Sequence, residues 1–206
     1  GTTTTPTDIR DCTLGFPTVL RKRALPAGDY YILMGTSSSS TTANEIALTV
    51  DITAATMPPT NDTCTSPITI PATGGTFMGD LVDVAANVNT RCGGTQPDVV
   101  YAITLTERAN IAARVSSARS DYLTLALVDR CVTSPTTIRC DTGGPAQWTA
   151  RELNPGTYYL VVAGRSINPF TLDVMVTPPS PAPQGDTCAN PFTLTRATPT
   201  MGTFTN

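Results

Sequence analysis

Apolar and polar residues alternate along much of this chain in short runs, and turn residues separate the runs. Val99 to Thr106 sets Tyr101, Ile103 and Leu105 against Ala102, Thr104 and Thr106, and Tyr122 to Val128 alternates in the same way. Successive side chains of a strand point to opposite faces, so this alternation predicts strands with one buried and one wet face. Further strands are predicted over Pro67 to Ile70, over Thr76 to Val82 after Gly74-Gly75, and over Ile111 to Val115 after the turn Arg108-Ala109-Asn110. Trp148 to Leu153, Thr157 to Ala163 and Phe170 to Val176 complete the set. No window carries a helical period. Short strands with regular turn signals predict an all-β fold, jelly-roll-like β-sandwich modules. Trp148, the one Trp, is expected in the core because it lies within a strand. Tyr158 and Tyr159 are neighbours on one strand, so one should face in and the other out.

The pattern repeats. Leu25-Pro26-Ala27-Gly28-Asp29-Tyr30-Tyr31-Ile32-Leu33 falls on Leu153-Asn154-Pro155-Gly156-Thr157-Tyr158-Tyr159-Leu160-Val161, in register with Cys12 on Cys140. Ile46 to Ile52 falls on Phe170 to Val176, and Asn61-Asp62-Thr63-Cys64 on Gly185-Asp186-Thr187-Cys188. A domain-sized period predicts modules in tandem rather than a solenoid. Residues 1–52 read as the back half of one module, 61–176 as a complete module and 185–206 as the front of a third. The Pro-containing stretches 53–60 and 177–184 between them read as semi-rigid spacers.

The six cysteines are Cys12, Cys64, Cys92, Cys131, Cys140 and Cys188. Without a CxxC and without any His, zinc spacing is missing, and a disulfide framework is the better reading. Within the complete module the expected pairs are Cys131–Cys140, closing a short loop, and Cys64–Cys92, tying the module's start to a Gly-rich loop. Disulfides imply an oxidising compartment. By the repeat, the partner position of Cys12 falls near Thr2 or Thr3, and that of Cys188 falls beyond residue 206. Cys12 and Cys188 are therefore candidates for bridges to residues outside this sequence or between copies. Copies linked through them would run as a thiol-sensitive ladder on a non-reducing gel.

Asp98-Val99-Val100-Tyr101, Ser120-Asp121-Tyr122-Leu123-Thr124-Leu125, the Leu153 to Val162 turn with its Pro-Gly-x-Tyr-Tyr core, and Phe170-Thr171-Leu172-Asp173-Val174 together resemble the bacterial pre-peptidase C-terminal domain. The resemblance covers about 62–176 fully and 8–52 as the family's back half. It implies an extracellular jelly-roll sandwich that is appended to secreted hydrolases or strung along surface proteins, and that binds insoluble polymers or acts as a spacer. It also implies weak calcium candidates among Asp62, Asp80, Asp83, Asp98 and Asp121. These are dispersed, however, and calcium asks for six to eight oxygens, so the expectation is no cofactor.

The remaining chemistry narrows the reading by subtraction. Without His there is no Ser-His-Asp or Cys-His nucleophile system. The single Lys, Lys22, would have to serve any Ser-Lys dyad, and its repeat counterpart is Ala150. The Gly pairs lie in no phosphate-binding pattern. Net charge is −3, and the one basic cluster, Arg21-Lys22-Arg23, reads as a solvated strand or turn rather than a nucleic-acid patch. No apolar run reaches the length of a membrane helix. Thr2 to Thr5 and Ser37 to Thr42 are hydroxyl-rich and read as flexible polar loops. The expectation is a non-catalytic extracellular or cell-surface segment, structural or adhesive, in a stalk or fibre whose partners are neighbouring repeats or copies of itself. Two alternatives stand beside it. One is an accessory module of a secreted hydrolase that binds a polysaccharide or fibrous protein. The other is a head-to-tail filament subunit completed by neighbouring chains.

Overall fold

The computed structural model describes residues 12–14, 18–35, 46–119, 121–165, 168–180, 184–185, 188 and 191–193. The hydroxyl-rich runs 2–5 and 37–42 and most of 185–206 lie outside the described residues. Nine strands build a β-sandwich: β1 (Ile68–Ile70), β2 (Gly74–Gly79), β3 (Asp98–Leu105), β4 (Ala109–Ser117), β5 (Leu123–Val128), β6 (Thr137–Gly143), β7 (Ala146–Leu153), β8 (Gly156–Gly164) and β9 (Phe170–Thr177). One sheet has the order β1-β3-β8-β5-β6 and the other β2-β9-β4-β7. Only β5 and β6 are sequence neighbours within one sheet; every other connection crosses between the layers.

The inner faces meet as the alternation predicts. Tyr101, Ile103 and Leu105 of β3 and Leu123, Leu125 and Leu127 of β5 pack with Ile111, Ala113 and Val115 of β4 and Leu172 and Val174 of β9. Trp148 belongs to this core, and its indole N–H, which needs a partner when buried, donates to the Leu125 carbonyl at 3.0 Å. Phe77 and Tyr101 meet as a tilted pair, ring centroids 5.7 Å apart and planes at 57°.

Three strand expectations need correction. Thr137–Gly143 is a strand, although Ile138 is its only large apolar residue; it forms the edge beside β5 with Ala126 opposite Cys140. The second strand begins at Gly74 and ends at Gly79, not at Val82. Gly74 has φ +85, and a Cβ there would lie 2.1 Å from the Val174 carbonyl oxygen, so this glycine is what lets β2 approach β9. The third correction concerns a whole face. The outer face of the five-stranded sheet is wet only in part: Thr104 and Thr157 are exposed, but around β5 the face is covered. Every residue of β5 is buried, and Val88, Val100, Ala126, Val128 and Val161 form a second apolar cluster with Tyr159 packed against it. Tyr158 packs against the main core and Tyr159 against the second cluster, so the two tyrosines face opposite sides and each is half-buried. The cover is a long strap, residues 80–97, which brings Val88 across the sheet.

Among the described residues, no strand forms in 12–59. Tyr31, Leu33 and Ile52 there are exposed by 88%, 78% and 93%, far from the burial of Tyr159, Val161 and Val176 in the sandwich.

Candidate functional site

One of the two disulfides, Cys92–Cys140, ties the strap to β6, and the other lies beside the second apolar cluster. Cys64 pairs with Cys131 and Cys92 with Cys140. This overturns the expected pairs Cys131–Cys140 and Cys64–Cys92, and strand register gives the reason. Cys140 sits inside β6 opposite Ala126, on the outer face, whereas Cys131 lies past the end of β5 in the turn. The two are near in sequence but not facing. Cys140 instead looks toward the strap that carries Cys92. Cys131 reaches Cys64, and both pack against the second apolar cluster. Polar contacts reinforce the strap: Asn89 N–H donates to the Thr133 carbonyl at 2.8 Å, and the Thr137 hydroxyl donates to the Thr90 carbonyl. Cys12 and Cys188 are exposed and lie outside these two bridges.

The five aspartates weighed for calcium are engaged in local hydrogen bonding. Asp62 accepts the Ala85 N–H at 2.8 Å, and its own carbonyl accepts the Asn87 amide. Asp98, fully buried, accepts the N–H groups of Asn87 and Val88 on one oxygen, at 2.7 and 3.0 Å. Its other oxygen is buried without a hydrogen-bond partner among the described residues. Burial pushes the Asp98 carboxyl up to about 6, against the two N–H donors that favour the charge, and the Asp62 carboxylate adds to the rise. Asp121 takes the Asn168 amide at 2.9 Å. Among the described residues no group of three or more His, Cys, Asp or Glu is gathered as metal ligands would be.

Asp80 and Asp83 form a socket where the strap leaves β2. Gly79 passes so close to the ring of Phe170 that a Cβ would stand 2.6 Å from its Cζ, which brings Asp80 down beside Tyr101. Burial pushes the Tyr101 phenol up to about 12, with Asp80 contributing and a hydrogen bond to Asn61 opposing. One Asp80 oxygen caps the Val82 N–H at 3.0 Å, and the other pairs with the Arg23 guanidinium. Asp83, in a left-handed conformation with φ 58, accepts both the Lys22 ammonium and the backbone N–H of Arg23. Arg23 also donates to the Val82 carbonyl at 3.4 Å. The basic cluster expected as a solvated turn is therefore docked, and its partner lies about 60 residues away in sequence. Nothing in the local sequence pattern could reveal that contact.

The outer face of the four-stranded sheet is an open trough of about 490 Å³ lined by Thr76, Asp173, Arg114, Gln147, Thr149 and Met175. The Thr76 hydroxyl donates to Asp173 at 2.7 Å. Among the described residues Trp148 is the one aromatic residue along this trough, and its indole belongs to the core, donating to the Leu125 carbonyl.

Two stretches 128 positions apart share a local geometry. The Tyr158 hydroxyl donates to the Asn154 carbonyl at 2.9 Å, a tyrosine corner, and Tyr30 donates to the Pro26 carbonyl at 2.8 Å. Glu152 holds φ 55 where β7 bulges against β4, and Ala24, aligned with it in the sequence comparison of the two stretches, holds φ 47. A non-glycine residue in this region is uncommon, so its recurrence at matched positions marks a shared corner.

No protein-family model and no curated protein matches the chain. Solved structures do. The pre-peptidase C-terminal domain of a collagenase from Bacillus anthracis aligns with a TM-score of 0.37 and 19% identity, covering 54% of this chain and 94% of that one. The periplasmic inhibitor of g-type lysozyme from Aeromonas hydrophila aligns with a TM-score of 0.39 and 12% identity, over 53% and 96%. A CBM36-1 domain of a multidomain xylanase from the hindgut metagenome of Trinervitermes trinervoides aligns with a TM-score of 0.31 and 15% identity, over 57% and 94%.

Proposed function

We propose that this chain is a non-catalytic, disulfide-stapled repeat segment of an exported protein, serving as a structural or adhesive length of a surface stalk or fibre. The observation that carries the reading is the recurrence of one corner, tyrosine hydrogen bond and left-handed residue together, at Ala24–Tyr30 and Glu152–Tyr158. Residues 61–176 are the complete module, 1–52 the back half of another and 185–206 the start of a third. The exposed Tyr31, Leu33 and Ile52 are the positions that a module's other strands cover. Two bridges support an oxidising, extracellular setting. With no His in the chain, nucleophile systems that need an imidazole base are ruled out. An accessory role in polymer binding would be favoured by an aromatic platform on the open sheet face; among the described residues the one aromatic there, Trp148, has its indole in the core. By the observed pairing, Cys12, the counterpart of Cys140, would take the equivalent of Cys92 as partner rather than a residue near Thr2 or Thr3.

The test is to complete the first module. A chain with residues 61–135 placed ahead of residue 8 supplies the missing strands in register. Amide exchange at Tyr31 to Leu33 and Leu48 to Val50 should then slow to the rates of Tyr159 to Val161 and Leu172 to Val174. If those amides keep exchanging as in the unextended chain, 1–52 is not a module's back half and the array reading is lost.

A further inference from the structure

The Asp80–Asp83 socket already holds something: the stretch Lys22-Arg23, which the repeat assigns to the preceding module. We infer that this is the joint of the array, in which the basic corner of one module docks into the carboxylate pair of the next; the inference rests on the tandem reading above. Three observations carry it. The contact uses a backbone donor as well as charge, since the Arg23 N–H and the Lys22 ammonium share Asp83 while the Arg23 guanidinium takes Asp80 and the Val82 carbonyl. That combination fixes a position, where a pair of surface charges alone would not. The socket is also built for its guest: Asp83 is held left-handed, and Asp80 is fixed by the Val82 N–H. Finally, the donor recurs at the rear of the complete module. Arg151 is the counterpart of Arg23, and each is followed by the left-handed corner residue. Arg151 reaches Ser180 of the next Pro-rich stretch at 3.3 Å, and its Nε is buried without a hydrogen-bond partner among the described residues. Each junction would thus have a spacer and a clasp, and the clasp limits the angles that the spacer allows.

The direct reporter is the Arg23 amide in the full chain. In Asp80→Asn/Asp83→Asn, which keeps shape and removes charge, that amide should exchange about ten- to a hundredfold faster, the factor expected from losing one hydrogen bond to a charged group. Arg23→Gln should give a smaller increase, because the backbone donor remains. High salt should weaken protection in the wild type and change nothing in the double variant. Amides of β8 serve as the folding control and should not move. The joint is refuted if the wild-type Arg23 amide exchanges at the rate of an unstructured chain, or if its protection survives the double variant. Either result leaves the corner repeat, and the test of the first module, untouched. If the completed first module fails to form while Arg23 stays protected, the contact is local to this chain and the joint between modules falls.

Discussion

Asp98 shows how little of a residue's role is written in its type. As one of five dispersed aspartates it was a weak ligand candidate; in the fold it is the buried peg on which the strap hangs, with Asn87 and Val88 donating to it. Its folded pKa lies above the ordinary 3.8, at about 6. An acid raised in this way favours the folded state when protonated. Its contribution is fully present below pH 3.8 and is lost as pH rises through 6, a difference of about 3 kcal/mol for a shift of this size. The expected outcome is that the stability difference between wild type and Asp98→Asn changes by about that amount between pH 3.5 and 7, in the wild type's disfavour as pH rises. Denaturant unfolding of both proteins across that range checks it, and a difference flat with pH would remove the account. Other single residues were legible. The place of Trp148 followed from its strand, and the opposed tyrosines followed from period two. The cysteine partners were not legible, because nearness in sequence was used where strand register decides.

At the scale of elements, the strands read correctly are those whose inner faces carry Leu, Ile and Val in alternation. β6 escaped because an edge strand with few buried positions needs little apolar content, and its pairing comes from β5 rather than from its own residues. β2 was started late because Gly74-Gly75 reads as a turn, while here the absence of a side chain is what permits pairing. The strap had no signature at all. It is irregular, yet it turns the outer face of a sheet into a second core, and its hold can be tested. Cys92→Ser/Cys140→Ser frees it from β6. The chain-entropy value for the 48-residue separation sets an upper loss of about 4 kcal/mol. Val88 and Asn89 should lose exchange protection first, with Ile103 and Leu160 retaining theirs until global unfolding. Equal protection at Val88 in both proteins would mean that Asp98 and Thr137 suffice to hold the strap.

For the molecule as a whole, the sandwich class was legible, because eight alternating runs leave few other ways to bury their faces. The layer order was not, since all but one connection crosses between sheets and pairing is set by distant residues. The crossed staples have a consequence under tension. A pull on the two ends of the sandwich enters at Cys64, passes through sulfur to Cys131, and continues through β6 to β9, so that β1 to β5 never lie on the load path. The 67-residue separation hides about 230 Å of extendable chain at ~3.4 Å per residue. Single-molecule stretching should therefore show a contour length longer by about that much once thiol is added. Bridges joining Cys64 to Cys92 and Cys131 to Cys140 would release roughly half of it. In an oxidising medium an overload strips β6 to β9 from their partners, and of the pairings within β1 to β5 only β1 with β3 remains; the sulfur closure still holds Cys64 beside Cys131, so the chain between them cannot be drawn out and refolding starts from a closed loop rather than from an extended chain.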